Sequence, residues 1–290
     1  MGSGTWTRDS FRSYSATKCM NVSLDGSIVG DYSIQEMFKR RSIAPELDPK
    51  NVIRECCDSE EHPNTRPVIL ALDVTGSMGG ASVKVAKELN VIMTDLYDKV
   101  QDVEFMIMGI GDLAYDYAPI QASQFESDIR IAEQLDKIYF EGGGGGNSYE
   151  SYTAAWYFGL NHCKLDSWKR GKKGIIITLG DEPLNPYLPA SKLSNATGDK
   201  LQGNVETEDL YREVIQKFDV YHLAIDDRET SYCMYADKIK ASFGKYLDEN
   251  HLKVVNMDSL ASAIVGIVAN SEEIVSAGTV HTDENGAISW

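Results

Sequence analysis

The sequence predicts an α/β fold: a doubly wound, mainly parallel sheet flanked by helices and preceded by an N-terminal extension. Three observations carry this. From residue 67 onward, short apolar runs alternate with segments whose apolar residues recur at helical spacing. The runs are apolar at consecutive positions, as in strands covered on both faces. Three of them close on a carboxylate, Asp73, Asp112 and Asp181, at the strand ends where sheets of this class place their ligands.

Taken in order, residues 1–66 lack strong periodicity. They are rich in Ser, Arg and Asp, with a short helix predicted over 34–41. Pro45, Pro49, Pro63 and Pro67 punctuate the segment. It reads as an arm that either wraps the domain or contacts a partner. The first buried strand covers 68–72 and ends at Asp73. Gly79 and Gly80 follow, then a helix carrying Ala86, Leu89, Met93, Leu96, Tyr97 and Val100 at three- and four-residue spacing. A second strand, 103–110, runs into Gly111 and Asp112, and a helix is expected over 129–138. After the glycine run 142–146 comes a helix with Tyr152, Ala155, Trp156, Gly159, Leu160 and Cys163 on one face. A third buried strand, 174–178, leads into Leu179, Gly180 and Asp181. Helix 209–218 precedes strand 220–225, helix 233–243 precedes strand 252–257, and helix 259–270 follows. The expected division is an extension at 1–66, a domain at 67–271 and a tail at 272–290.

Composition narrows the function. The chain has 290 residues, enough for about one or two domains, and 42% hydrophobic content, enough for a sizeable core. Its 28 Lys and Arg face 44 Asp and Glu, a formal net charge of −16. That argues against general nucleic-acid binding, which needs a cationic surplus, and against docking on an anionic membrane. The first 66 residues are nearly balanced, with nine cationic against ten acidic residues, so the charge belongs to the remainder. The five cysteines are odd in number, and Cys56 and Cys57 are adjacent. This is a poor disulfide framework and fits a reducing, cytoplasmic setting. Neither a signal peptide nor a membrane span is expected from the pattern. Asn21 and Asn195 head glycosylation-type triplets, which a cytoplasmic chain would carry by chance. Cys56, Cys57 and His62 lack the spacing of a zinc site.

The strongest motif is Asp73, Thr75 and Ser77, alternating with Val74 and Gly76 on a loop between a buried strand and a helix. Alternation lets one carboxylate and two hydroxyls converge, and oxygen-only ligands suit a hard cation. Amides at the following helix N-terminus would suit an anion instead. The motif resembles the metal-ion-dependent adhesion site of von Willebrand factor type A domains, and the resemblance covers about residues 67–271. In that family the first loop reads Asp-x-Ser-x-Ser, a second loop supplies a Thr and a third an Asp. Here Asn147 stands at about the place of that Thr, after the glycine run and before Glu150. The third loop reads Asp181, Glu182, Pro183. Those features are similar to the alpha-kinase-associated subgroup, whose second strand often ends in Arg-Asp, comparable to Gly111 and Asp112. No kinase domain accompanies them.

The resemblance implies a Rossmann-like fold and a divalent cation, Mg²⁺ first, with Ca²⁺ or Mn²⁺ as alternatives. Thr75 and Ser77 would ligate through hydroxyls, and Asp73 and Asp181 directly or through water. Glu150 would either point back at the same ion or serve as a first-turn helix carboxylate. Asn147 would either ligate or cap the helix. Three carboxylates around one ion would leave little welcome for a partner's Asp or Glu.

Three functions follow. The first is a cation-dependent protein-binding adaptor. The second is a phosphotransferase resembling the haloacid dehalogenase superfamily, with Asp73 as nucleophile and Lys172 or Lys173 in support. The third is a metal-independent structural subunit, with 1–66 as docking arm. Against the second, the final Asp of that superfamily's Gly-Asp-x-x-x-Asp loop is missing, and Pro186 closes the segment Gly180 to Pro186. The five His form no triad with a Ser or Cys. Lys169, Arg170, Lys172 and Lys173 form a basic cluster expected at the end of the sheet opposite the ion loop. Tyr115, Tyr117, Tyr149 and Tyr152 lie near the predicted loops, where exposed Tyr suits protein recognition.

Overall fold

The computed structural model describes residues 4–142, 146, 147, 149–228 and 230–276, with side chains described up to residue 271. Residues 143–145 of the glycine run and most of the expected tail, 277–290, therefore lie outside the described residues.

The first 66 residues hold a good deal of structure. Helix α1 (Arg8–Thr17) starts where the Thr7 hydroxyl accepts from the Ser10 amide. A hairpin of β1 (Asn21–Val22) and β2 (Ile28–Val29) follows. Helix α2 (Ile34–Met37) opens on a capping box between Ser33 and Glu36. It stops four residues short of the sequence expectation because Phe38 turns extended and packs its ring 4.4 Å from that of Phe140. Strand β3 (Arg54–Cys56) pairs in parallel with β7 (Cys163–Leu165).

The domain then alternates β4 (Arg66–Asp73), α3 (Gly79–Tyr97), β5 (Val103–Ile110), β6 (Ile120–Ala122), α4 (Arg130–Leu135) and α5 (Thr153–His162). After β7 come α6 (Asp166–Lys169), β8 (Gly174–Gly180), β9 (Tyr187–Leu188), α7 (Ala190–Thr197), β10 (Val205–Glu206), α8 (Thr207–Lys217) and β11 (Phe218–Ile225). Helix α9 (Tyr232–Phe243), β12 (Leu252–Val255) and α10 (Leu260–Ser276) complete it. The central sheet has six strands in the order β12-β11-β8-β4-β5-β6. All pairings are parallel except that of β6, which runs antiparallel to β5. The fold class is thus the doubly wound α/β sheet.

Successive residues of the strands feed two cores, as the two-residue period of a strand requires. Val68, Leu70 and Leu72 face Val85, Leu89 and Met93 of α3 and Ile264 and Val268 of α10. Ile69 and Ala71 face Trp156 and Phe158 of α5, Val214 of α8 and Phe243 of α9. Strand β6 and helix α7 were not legible in the sequence. Three residues are too few to show a period, and Gln121 is buried within β6 because its amide serves both the N–H and the carbonyl of Tyr139.

The extension wraps the domain. Trp6, Phe11, Ile28, Met37 and Leu47 join the core shared by α3 and α10. Trp6 Nε1 donates to Asn90 Oδ1 at 3.0 Å, and Asn90 Nδ2 donates to the Gly26 carbonyl at 3.1 Å. Gly79 has no side chain because Ile34 occupies the space, with Cδ1 1.8 Å from where a Cβ would stand. Among the described residues no helix is long and apolar enough to cross a membrane.

Asn90 is therefore one buried polar link between extension and domain. Replacing it with Ala strands the Trp6 N–H and the Gly26 carbonyl, and should cost roughly 2–4 kcal/mol in urea denaturation. A cost within about 0.5 kcal/mol, the range of ordinary surface changes, would mean that the extension is not clasped through this residue.

Candidate metal centre

The strand order decides where the site forms. From β4 the chain winds to β5 on one side, whereas β8, β11 and β12 extend on the other. A crevice opens beyond the carboxyl ends at such a reversal. Asp73 ends β4, Asp181 directly follows β8, and Asp112 follows β5, so the three sequence-predicted carboxylates do meet at one edge. Each is at most 1% exposed.

In the first loop the Thr75 amide and hydroxyl both donate to Asp73 Oδ1, at 2.9 and 2.5 Å. Ser77 lies close enough to Asp181 to lower its proton affinity. The Ser231 amide donates to Asp181 Oδ2 at 2.6 Å, while Asp181 Oδ1 has no donor. The Thr75 hydroxyl thus gives its one proton to a carboxylate and keeps oxygen lone pairs for another group. Helix α3 begins just beyond, with Met78 at its N-cap position and no side-chain cap. A cleft of about 300 Å³ borders Gly76, Ser77 and Gly80, with Tyr32, Ile34 and Gln35 of the extension as its other wall.

The second loop differs from expectation. Glu150 does not open a helix: α5 begins at Thr153. Glu150 instead forms a parallel bridge with Leu184, its amide 3.3 Å from the Pro183 carbonyl. Ser151 Oγ accepts from the Leu113 amide, and Asn185 clasps Thr153 through both its amide and its carbonyl. These bonds hold the segment extended between the β5 and β8 loops, so a first-turn carboxylate role does not arise. Nor does Asn147 cap α5, whose N-cap position is Tyr152. Asn147 Oδ1, Glu150 Oε2 and Asp112 Oδ2 are all buried atoms without a hydrogen-bond partner.

The electrostatics follow from burial. Asp73 is pushed up to about 7, by desolvation first and by the charge of Asp181 second. Desolvation also raises Asp181. Glu182, half-buried, is pushed up to about 7 by desolvation and then by Asp181 and Asp112. Glu150 rises furthest, through desolvation and then Asp73, Glu182 and Asp112. Every one of these groups resists taking its charge, the state a bound cation would reverse. Among the described residues, however, no three His, Cys, Asp or Glu side chains form a group that could hold one metal ion. Asp73, Glu150 and Asp181 are neighbours in charge, but they are not drawn to one point. What fits a hard cation at the first loop is a mixed set of two hydroxyls, Thr75 and Ser77, with Asp73 and Asp181.

Tyr152, expected on one face of the helix that follows the glycine run and also near the predicted loops, belongs to the packed interior. It is fully buried, 5.1 Å from the His222 ring and 5.8 Å from that of Phe243, and its hydroxyl donates to Asp73 Oδ2 at 2.7 Å. Gly180 makes the room, since a Cβ there would come 2.0 Å from the Tyr152 hydroxyl. Of the four tyrosines near the loops, Tyr115 and Tyr117 are the exposed ones, at 60% and 79%. The basic cluster does lie at the other end of the sheet: Lys172 and Lys173 immediately precede β8, and Asp181 follows it.

No family model matches the chain, and no curated protein matches it. Among solved structures it is similar to the pilus adhesin SpaC of Lactobacillus rhamnosus GG in an open conformation, at 12% identity and TM-score 0.45 over 78% of this chain. It spans 31% of that adhesin's length. It is also similar to the vWF domain of the type V pilus tip protein Mfa5 of Porphyromonas gingivalis, at 12% identity and TM-score 0.41 over 76% of this chain and 97% of that one. A mutant of the PilB minor pilin of Streptococcus sanguinis matches at 12% identity and TM-score 0.45 over 74% of this chain and 63% of that one.

Two substitutions probe the Asp73 support. Tyr152→Phe removes a donor to a buried carboxylate and should cost roughly 1.5–3 kcal/mol near pH 8, and less near pH 5, where Asp73 is protonated. Gly180→Ala should cost roughly 2–4 kcal/mol by displacing the Tyr152 ring. Denaturant titration at both pH values reads them, and an equal Tyr152→Phe cost at both would contradict the assigned bond.

Proposed function

We propose that this chain is a cation-dependent protein-binding module whose ion is held by the Thr75 and Ser77 hydroxyls with Asp73 and Asp181. The observation that carries the reading is a set of acceptors left without donors at the first loop. The Thr75 hydroxyl gives its proton to buried Asp73, which leaves its lone pairs free, and Asp181 Oδ1 is buried without a donor. A hard divalent cation satisfies such a set, with Mg²⁺ ahead of Ca²⁺ or Mn²⁺ where few protein ligands leave room for water. Bound there, the ion would supply a fixed positive charge at the lip of the sheet. Tyr115, Tyr117 and Met234, at 60%, 79% and 69% exposure, offer exposed contact area on loops and a helix start at the same edge.

The phosphotransferase reading finds less support. A nucleophilic Asp73 needs an accessible oxygen, yet Asp73 is wholly buried, with Oδ1 bonded by Thr75 and Oδ2 by Tyr152. Lys172 and Lys173 are also separated from Asp181 by the whole of β8, a span of about 25 Å. A metal-independent structural role for the extension draws less support as well, because its largest apolar side chains are already buried against the domain.

The raised carboxyls give the reading a pH signature. Asp73 and Glu182 keep their protons to about pH 7 in the folded chain, but release them near pH 4 once unfolded. Their stabilising share is therefore complete below about pH 4, declines as pH rises, and is gone above about pH 7. In a chelator the melting temperature should fall by about 5 °C between about pH 5 and pH 7.5. Mg²⁺ should restore more of it at the higher pH, and Thr75→Val should abolish the Mg²⁺ effect. A Mg²⁺ response that is absent, or unchanged by Thr75→Val, would sink the assignment.

Binding is tested separately. Proteins retained by the immobilised chain in Mg²⁺ should be released by a chelator and lost with Thr75→Val. Retention insensitive to both would favour a structural subunit.

A further inference from the structure

Two buried histidines have an acceptor at both ring nitrogens, and each joins the extension to the domain. His62 Nδ1 lies 3.2 Å from Asp102 Oδ1, and its Nε2 lies 3.1 Å from the Gly4 carbonyl oxygen. His162, the last residue of α5, has Nδ1 2.9 Å from the Val52 carbonyl oxygen and Nε2 2.7 Å from Asp199 Oδ2. The two residues are 3% and 4% exposed, so water does not stand in for a missing bond. A carbonyl and an ionised carboxylate bring no hydrogen, so each ring has to supply two. Neutral imidazole has one N–H, and imidazolium has two. His222 shows the opposite case. Its Nδ1 meets the Thr178 hydroxyl at 2.8 Å, its Nε2 is buried without a partner, and burial pushes it down to about 3, which keeps the ring neutral.

The charged neighbours agree with this assignment. Asp102 receives His62 on one oxygen and the Asn64 amide on the other. Glu104 of β5 feels the charge of His62, and Glu126 acts in turn on Glu104. Asp58, on the same loop as His62, is taken by Arg170 and Thr65, and Asp128, beside Gly4, by Arg130. At the other ring, the Tyr157 and Thr197 hydroxyls donate to the same Asp199 oxygen, at 2.6 and 3.0 Å. Burial works to raise Asp199, but the donors Tyr157, His162 and Thr197 outweigh it and hold the carboxyl below its ordinary value. The cations near this end of α5 are committed elsewhere. Lys217 donates to the Gly159, Leu160 and Cys163 carbonyls, and Arg54 to those of Glu46 and Ala122. A positive charge is also favoured at a helix C-terminus, where His162 stands.

We propose that His62 and His162 form a paired pH-sensitive clasp, in which each imidazolium ties one end of the extension to the domain and lets that end go when the ring loses its second proton. Gly4 and Val52 bracket the stretch that carries Trp6, Phe11, Ile28, Met37 and Leu47, so the apolar middle stays docked while the ends come free. The same stretch contributes Tyr32, Ile34 and Gln35 to the cleft beside Ser77, and the clasp sets how firmly that wall is held. The charge of an imidazole changes between about pH 5 and 8. The clasp bonds are therefore present at the acid end of that range and lost toward its alkaline end. The clasp stands independently of the proposed cation.

Hydrogen exchange of the full chain in chelator, read by mass spectrometry at about pH 5.5 and about pH 8.5, tests it once the intrinsic pH dependence of amide exchange is divided out. A peptide over residues 68–72 of β4 serves as the reference for global opening. Relative to it, peptides over residues 4–11 and 48–55 should lose about tenfold in protection at the higher pH, the size of one lost hydrogen bond. His62→Gln should abolish the pH response of the first peptide alone, and His162→Gln that of the second alone. A response no larger than that of β4, a response at one end only, or one that survives in its own variant overturns the clasp. Nitrogen NMR of the wild-type rings needs no variant. At about pH 5.5 both nitrogens of His62 and of His162 should carry protons, and those of His222 should not. A single proton on either clasp ring overturns the proposal.

Discussion

Like-charged side chains buried together at one edge of a sheet are the constraint on which this molecule turns. Asp73, Asp112, Glu150 and Asp181 are all at most 1% exposed, and their charges act on one another. Desolvating a single ionised carboxylate costs several kcal/mol unless something compensates it. The surrounding residues supply only part of that compensation. Thr75, Tyr152 and Ser231 donate to Asp73 and Asp181, and the Ala114 amide donates to Asp112. What is left over is a set of oxygens with nothing to bond, and these are the groups the proposed cation would satisfy.

The architecture exists in part to hold those donors still. The Tyr152 ring fits only because Gly180 lacks a side chain, so a glycine at the end of β8 is tied to the protonation state of a carboxylate at the end of β4. Pairing of Glu150 with Leu184, and of Leu113 with Ser151, locks the second loop between its neighbours. The extension contributes from outside. Ile34 packs onto Gly79 at the start of α3, and Tyr32 and Gln35 wall the cleft beside Ser77. A segment that looks dispensable by composition therefore borders the Asp73 loop and helps to wall its cleft.

Much of the fold was legible. The strands β4 and β8 carry continuous apolar runs, β5 and β11 shorter ones, and α3 carries three- and four-residue spacing, because a sheet covered on both faces demands both patterns. The three strand-end aspartates could be placed at one edge before any coordinates, since parallel strands all present their carboxyl ends there. Strand β6 escaped because three residues with a buried Gln show no period, and α2 came out short because Phe38 leaves the helix to reach Phe140. The helical spacing places Tyr152 on a face with Ala155 and Trp156, but its bond to Asp73 lies beyond any local pattern.

The sequence by itself determined the class of fold, the edge at which chemistry gathers and the residue types available there, because periodicity and strand polarity are local properties. It also carried the Asp73, Thr75, Ser77 alternation, a short-range pattern. Only the tertiary structure decided which oxygens are satisfied. Whether Asp181 Oδ1 or Glu150 Oε2 finds a donor depends on amides and hydroxyls far away in the chain, such as Ser231, Leu113 and Tyr152. Burial and hydrogen bonding are sums over neighbours brought together by folding, and no window of sequence contains them.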